Sequence, residues 1–200
     1  RRGAPGRDDQ DFGRTSVAVR GAYSTEDDYR SIAGGLTVRH ATPDQNTTFM
    51  AGIGYASDEV FPQDGPVFTR SKNTLDGIVG ITQVLSRNDV GQVNLYYARQ
   101  SGYLTDPYKA IFGVDQRPDS RDQLALLVRW NHYFQNFNAT LRSSYRYYHD
   151  DWEVNASTVT AEWAQELPQG FTLTPNARYT TQSAAFFYYD PVYDATLGAP

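Results

Sequence analysis

The feature that most constrains this chain is an alternation with a period of two residues. Leu124, Leu126, Val128 and Trp130 are interleaved with Ala125, Leu127, Arg129 and Asn131. Successive side chains of a strand point to opposite faces, so this stretch has one greasy face and one largely wet face. The pattern recurs along the chain and predicts about nine strands. They fall near 14–24, 29–41, 47–57, 74–86, 91–101, 121–135, 138–149, 153–167 and 171–181. Residues 1–13 are polar and glycine-rich and read as a flexible lead-in. Residues 14–200 read as one wall of strands, with longer loops near 58–73 and 102–120.

Composition narrows the setting. Hydrophobic residues make up 40% of the 200, and Tyr supplies 15 of the aromatics. The mean hydropathy is −0.60, and no apolar run approaches the length a membrane helix needs. A barrel strand needs only every second residue apolar, so a low average does not exclude a membrane. With no cysteine, neither a disulfide framework nor a thiolate metal site is possible. The net charge of −5 and the absence of a basic stripe argue against nucleic acid as a partner. The segment Arg1-Arg2-Gly3-Ala4-Pro5-Gly6 lacks the apolar core of a signal peptide. An outer-membrane protein requires one, so the expectation is a processed chain or a piece of a longer one.

The connections predict an up-and-down topology with two unlike ends. Short turns alternate with longer links, and every link longer than a tight turn falls at one end. That end carries Glu26, Asp27, Asp28, Asp58, Glu59, Asp64, Asp106, Asp115, Asp119, Asp150, Asp151, Asp190 and Asp194. Bacterial outer-membrane barrels place short turns in the periplasm and long loops outside. On the apolar parity, Tyr23, Tyr55, Tyr97, Tyr147 and Tyr179 then form a girdle near the external interface. Phe49, Trp130, Trp163 and Phe171 form one near the periplasmic interface. The expected fold is an all-β, antiparallel up-and-down transmembrane β-barrel. Bacterial single-chain barrels use even strand numbers, so nine strands are read as part of a larger barrel. A soluble antiparallel barrel or sandwich that binds a ligand is the alternative, with the same apolar face turned inward as its core.

The opposite parity is expected to line a lumen. It contains Arg20, Arg39, Arg129, Arg142, Arg146 and Arg178, with Asp76 and Glu162. Such arginines either pair and stack to fill the interior or bias a path towards anions.

No catalytic constellation emerges. His40, His132 and His149 are the three histidines, and none is placed with a nucleophile and an orienting carboxylate inside the wall. No catalytic residue, cofactor or resident metal is expected, and no phosphate loop or haem motif is present. His149, Asp150 and Asp151 are a weak candidate for a divalent cation. An acidic rim also suits the cations that bridge lipopolysaccharide.

Several stretches carry a family resemblance. They are Ser101-Gly102-Tyr103-Leu104-Thr105-Asp106-Pro107-Tyr108-Lys109, Arg117-Pro118-Asp119-Ser120-Arg121 and Ser144-Tyr145-Arg146-Tyr147-Tyr148-His149-Asp150-Asp151-Trp152. Gly54-Tyr55-Ala56-Ser57-Asp58-Glu59-Val60 and Gln182-Ser183-Ala184-Ala185 belong with them. Together these resemble the bacterial family called domain of unknown function 3570. The resemblance implies an outer-membrane β-barrel of no established biochemical role, in the neighbourhood of periplasmic redox and flavin-attachment proteins. It implies a pore or conduit serving an envelope redox system, and it transfers no catalytic residue. The other reading is a scaffold or anchor, in which the acidic, Tyr-rich external loops bind a periplasmic or surface protein. The expected partners are otherwise membrane lipid and lipopolysaccharide.

Overall fold

A computed structural model describes residues 2–61, 69–105 and 117–188. They form one antiparallel sheet. Its strands are β1 (Arg2–Phe12), β2 (Thr15–Thr25), β3 (Tyr29–Ala41), β4 (Thr47–Val60), β5 (Arg70–Val84), β6 (Asp89–Gly102), β7 (Ser120–Phe134), β8 (Ala139–Asp150), β9 (Asn155–Glu166), β10 (Thr172–Leu173) and β11 (Asn176–Gln182). Each strand pairs with its neighbour in sequence, and β10 and β11 both pair with β9. These last two share one register: Thr172 lies opposite Glu166, and Asn176 opposite Glu162. Pro175 has no N–H to give the ladder, which splits the predicted 171–181 strand there. Its carbonyl still accepts from Trp163 N at 3.0 Å.

Two expectations need correction. Residues 1–13 are not a free lead-in: Arg2 to Phe12 pair with Thr25 to Thr15. The segment 7–11 is nearly all charged and has no apolar alternation. The β2 edge supplies the backbone donors and acceptors, and pairing them does not require an apolar face. The wall therefore has ten strand positions rather than nine, β10 and β11 counting as one. The sheet is open, since neither β1 nor β11 pairs with the other among the described residues. The predicted 58–73 loop is also shorter, because β4 runs to Val60 and β5 begins at Arg70. Asp58 reads as a loop residue, but Lys72 lies opposite it, and Lys72 Nζ reaches its carboxylate at 3.0 Å.

The two ends differ as the links predict. One end has the turns at 13–14, 42–46, 85–88, 135–138 and 167–171. The other has the links at 26–28, 61–69, 103–119 and 151–154, which include both long ones. The 42–46 turn shows how a short link is fixed. Thr42 Oγ1 donates to Asp44 Oδ1 at 2.5 Å, and Asn46 Nδ2 donates to Asp44 Oδ2 at 2.9 Å. The hydrogen bond from Thr42, then those from Asn46, hold the Asp44 carboxyl below the usual carboxylate range.

Burial is inverted relative to a protein that folds around a greasy core. Exposed apolar side chains include Val19 at 54%, Ile32 at 59%, Ile53 at 58%, Val79 at 55% and Val159 at 51%. Ala18, Asn94, Ala98, Ala125 and Thr158 are buried, and all of them lie on the opposite face. No second layer covers the apolar face among the described residues.

Gly102 ends β6 at φ +105°, and a Cβ there would lie 2.3 Å from Ser71 O. Gly102→Ala is expected to destabilise the fold by roughly 1–3 kcal/mol, because both strain and a backbone clash oppose it. Gly21→Ala, with nothing within 4 Å of the new Cβ, is expected to be near neutral. Urea unfolding midpoints of the two variants check this.

Candidate functional site

The ladders assign every strand residue from β2 onwards to one of two faces. The rows Val17–Val38–Ala51–Val79–Leu95–Leu126–Tyr147 and Val19–Leu36–Ile53–Gly77–Tyr97–Leu124–His149 run across β2 to β8 on the apolar face. Ile32, Ile81, Val93, Val128, Leu141, Val159, Ala161, Leu173 and Ala177 share that face by the same register.

The five predicted Tyr residues lie on this face along an oblique line. The row of Tyr23 reaches β4 at Ser57, two residues beyond Tyr55. The row of Tyr55 reaches β6 at Arg99, two beyond Tyr97. The row of Tyr97 reaches β8 at His149, two beyond Tyr147. The row of Tyr147 reaches β11 at Thr181, two beyond Tyr179. Two residues advance a strand by about 6.7 Å, and two strands are about 9.6 Å apart, so the line is inclined by about 35° to the hydrogen-bond rows. Phe49, Trp130 and Trp163 also step towards the turn end, by two residues over three strands and then two over two, and Phe171 lies beyond them in the 167–171 turn.

Three of the five Tyr hydroxyls and both Trp N–H groups point away from the band between the lines. Tyr55 Oη donates to Asn73 Oδ1 at 2.9 Å, Tyr97 Oη to Asp122 Oδ1 at 2.6 Å, and Tyr147 Oη to Asn155 Oδ1 at 2.9 Å. Each acceptor lies on the next strand, one row nearer the long-loop end. At the other end, Trp130 Nε1 donates to Asp89 Oδ1 at 3.0 Å and Trp163 Nε1 to Gln165 Oε1 at 3.3 Å. Between the lines the face is apolar, small or hydroxyl-bearing, with no charged side chain among the described residues. Rings with a greasy body and a polar tip settle in this way at a boundary between oil and water.

The opposite face collects the predicted charged set. Arg20, Arg39, Asp76, Arg129, Arg142, Arg146, Glu162 and Arg178 share it by register. Arg142 Nη1 donates to Glu162 Oε1 at 2.6 Å. The Arg146 guanidinium lies 5.5 Å from the Tyr148 ring centroid. Arg20, Arg39, Arg129, Arg146 and Arg178 have no ion pair among the described residues. Arg20 and Asp76 flank a cavity of 690 Å³ floored by Gly35, Gly52 and Gly54.

At the long-loop end, sequence reasoning missed a hub. Asp150 is 1% exposed. Its Oδ2 accepts from Arg121 Nε at 2.9 Å, Arg121 Nη2 at 2.6 Å and Tyr148 Oη at 2.7 Å. Its Oδ1 accepts from Trp152 N and Val154 N, both at 3.0 Å. The Arg121 guanidinium lies 4.3 Å from the Trp152 ring centroid, and Trp152 Nε1 donates to Ser120 O at 2.9 Å. The only sequence signal was that Arg121 and Asp150 share a parity; their adjacency needs the β7–β8 register.

This hub corrects the cation candidate. Asp150 is committed to Arg121, Asp151 Oδ1 accepts from Asp122 N at 3.0 Å, and His149 Nδ1 is 2.9 Å from Asn155 Oδ1. His149, Asp150 and Asp151 therefore form no metal-holding group. His40 lies 2.8 Å from Thr15 Oγ1, and His132 lies 2.6 Å from Asp89 Oδ1. Asp64, Asp106, Tyr108, Asp115, Asp190 and Asp194 lie outside the described residues.

A family model described as "Protein of unknown function (DUF3570)" matches residues 64–196, more than half of the chain. A search of curated proteins gives no match. Among solved structures, the β domain of the Bordetella autotransporter BrkA is similar, at 13% identity and a TM-score of 0.38. That similarity covers 90% of this chain and 82% of that one.

Asp150→Ala would leave the Arg121 guanidinium and two backbone N–H groups without their acceptor. It is expected to destabilise the protein by about 3–5 kcal/mol. Urea unfolding measures this; a change of less than about 1 kcal/mol, the scale of an exposed pair, would contradict the hub.

Proposed function

We propose that this chain, which belongs to the DUF3570 family, forms wall of an outer-membrane β-barrel whose polar face lines an aqueous conduit. The observation that carries this reading is the oblique line of five Tyr residues on the apolar face. Barrel strands lie at roughly 35–45° to the membrane normal. A girdle that is level in the membrane must therefore cross the hydrogen-bond rows at that same angle. The Tyr line crosses them at about 35°, with the hydroxyls of Tyr55, Tyr97 and Tyr147 turned towards the long-loop end. A soluble barrel has no reason to place its exposed aromatics on such a line. It would turn Val19, Ile32, Ile53 and Val79 inward as its core, whereas these are exposed and the buried Ala18, Asn94, Ala98, Ala125 and Thr158 lie on the other face; facing water, the apolar face would cost about 25 cal/mol for each Å².

Lipid is the partner of the apolar face in this reading, and lipopolysaccharide with its bridging cations that of the acidic long-loop end. The Arg-bearing face supports a path for solutes rather than a reaction centre. The family resemblance adds an envelope redox system as the setting the conduit would serve. The acidic rim supports the other reading, a scaffold for an envelope or surface protein; reproducible co-purification of one protein from native membranes would favour it.

Val128 lies on the apolar face between the two lines, and Leu127 on the other face. Val128→Arg is expected to destabilise the protein in lipid vesicles by about 2–4 kcal/mol, as for a cation on the lipid face near mid-bilayer. Leu127→Arg should be tolerated. Equal loss at both positions, measured by urea unfolding in vesicles, would contradict the assigned faces. The full-length protein should also pass ions across planar bilayers, and a silent insertion would refute the conduit.

A further inference from the structure

The geometry points to a binding patch for small solutes with two or more anionic oxygen groups, on the polar face of β7, β8, β9 and β11. Arg129, Ser144, Thr160 and Arg178 lie in one row across those four strands. Arg142 and Arg146 flank Ser144 along β8 on the same face. By register, three arginines thus neighbour Ser144, and a fourth lies beyond Thr160. Thr158 and Thr180, whose hydroxyls are 3.1 Å apart, border the patch one row away.

Charge accounting gives the patch its meaning. The chain has 23 acidic residues against 18 Lys and Arg, so carboxylates are in surplus. Only Glu162 is placed among these arginines, and it is taken by Arg142. Elsewhere on this face Asp58 pairs with Lys72 and Asp150 with Arg121, while Asp76 has no ion pair among the described residues and lies on β5, in the row of Arg20 rather than in the row of these arginines. Clustered guanidiniums repel one another unless an anion neutralises them, and their forked donors match carboxylate and phosphate oxygens. The neighbouring hydroxyls add donors without adding charge. A multivalent oxyanion satisfies both requirements, whereas a chloride ion cannot bridge the row.

This inference rests on the reading of the polar face as a conduit wall, and the test separates the two. The full-length protein is titrated with inorganic pyrophosphate by calorimetry, and its reversal potential is measured in a KCl gradient across planar bilayers. Binding is expected to weaken with salt. It should fall by roughly tenfold or more in Arg129→Gln/Arg146→Gln/Arg178→Gln, given about tenfold per 1.4 kcal/mol. The corresponding triple Lys variant should retain most of it. Arg30→Gln removes a charge from the apolar parity, where Arg30 pairs with Glu59, and should change neither readout. Undiminished binding in a folded triple Gln variant would overturn the patch, as would equal weakening in Arg30→Gln. A protein that binds pyrophosphate but passes no current keeps the patch and loses the conduit. One that conducts without anion preference and binds no pyrophosphate keeps the conduit and loses the patch.

Discussion

A strand side chain has only two directions available to it, and in this sheet the hydrogen-bond register selects between them for every residue from β2 to β11. The ladders run without a slipped or inserted residue. A slip of one residue would turn a whole strand over and put its arginines on the apolar face. The same continuity serves the backbone. In hydrocarbon, an unpaired N–H or C=O costs several kcal/mol, so a wall facing lipid must pair its strands along their length. Both faces, both aromatic lines and the arginine patch therefore follow from a single unbroken register.

That register also produces the tilt. The five Tyr residues lie on alternate positions of the wall, and each is displaced by two residues from the row of the one before. A displacement of one residue per strand fixes an inclination near 35° through the ratio of residue rise to strand spacing. No single tyrosine carries this information. It emerges only when strands far apart in sequence are aligned, and it converts a composition rich in Tyr into a plane. The hydroxyl contacts to Asn73, Asp122 and Asn155 repeat with the same displacement.

The alternation made much of this legible without coordinates. Face assignment needs only parity, so Val128 and Arg129, or Leu126 and Leu127, separate on inspection. The links at one end are long because of residue types the sequence displays, such as Pro62, Pro66 and Pro107. What parity cannot supply is adjacency. Asp150 reads as one more rim carboxylate until the β7–β8 register brings Arg121 to it, and then it becomes the least exposed carboxylate described. The patch was equally hidden: Arg129 and Arg178 are 49 positions apart in the sequence and share a row only through Ser144 and Thr160, which lie between them. The β1 strand escaped detection for a different reason. Its pairing is a property of the β2 edge, and an edge holds a partner through backbone groups that any sequence carries.

The character of β1 bears on where the apolar face of the sheet begins. Arg7-Asp8-Asp9-Gln10-Asp11 offers no apolar parity at all, and Pro5 withholds a donor from one ladder position. Strands β2 to β9 and β11 each have a face free of charge between the aromatic lines; β1 has none. The apolar wall accordingly begins at β2. The β1 strand satisfies the backbone of β2 along the ladder from Arg2 to Phe12.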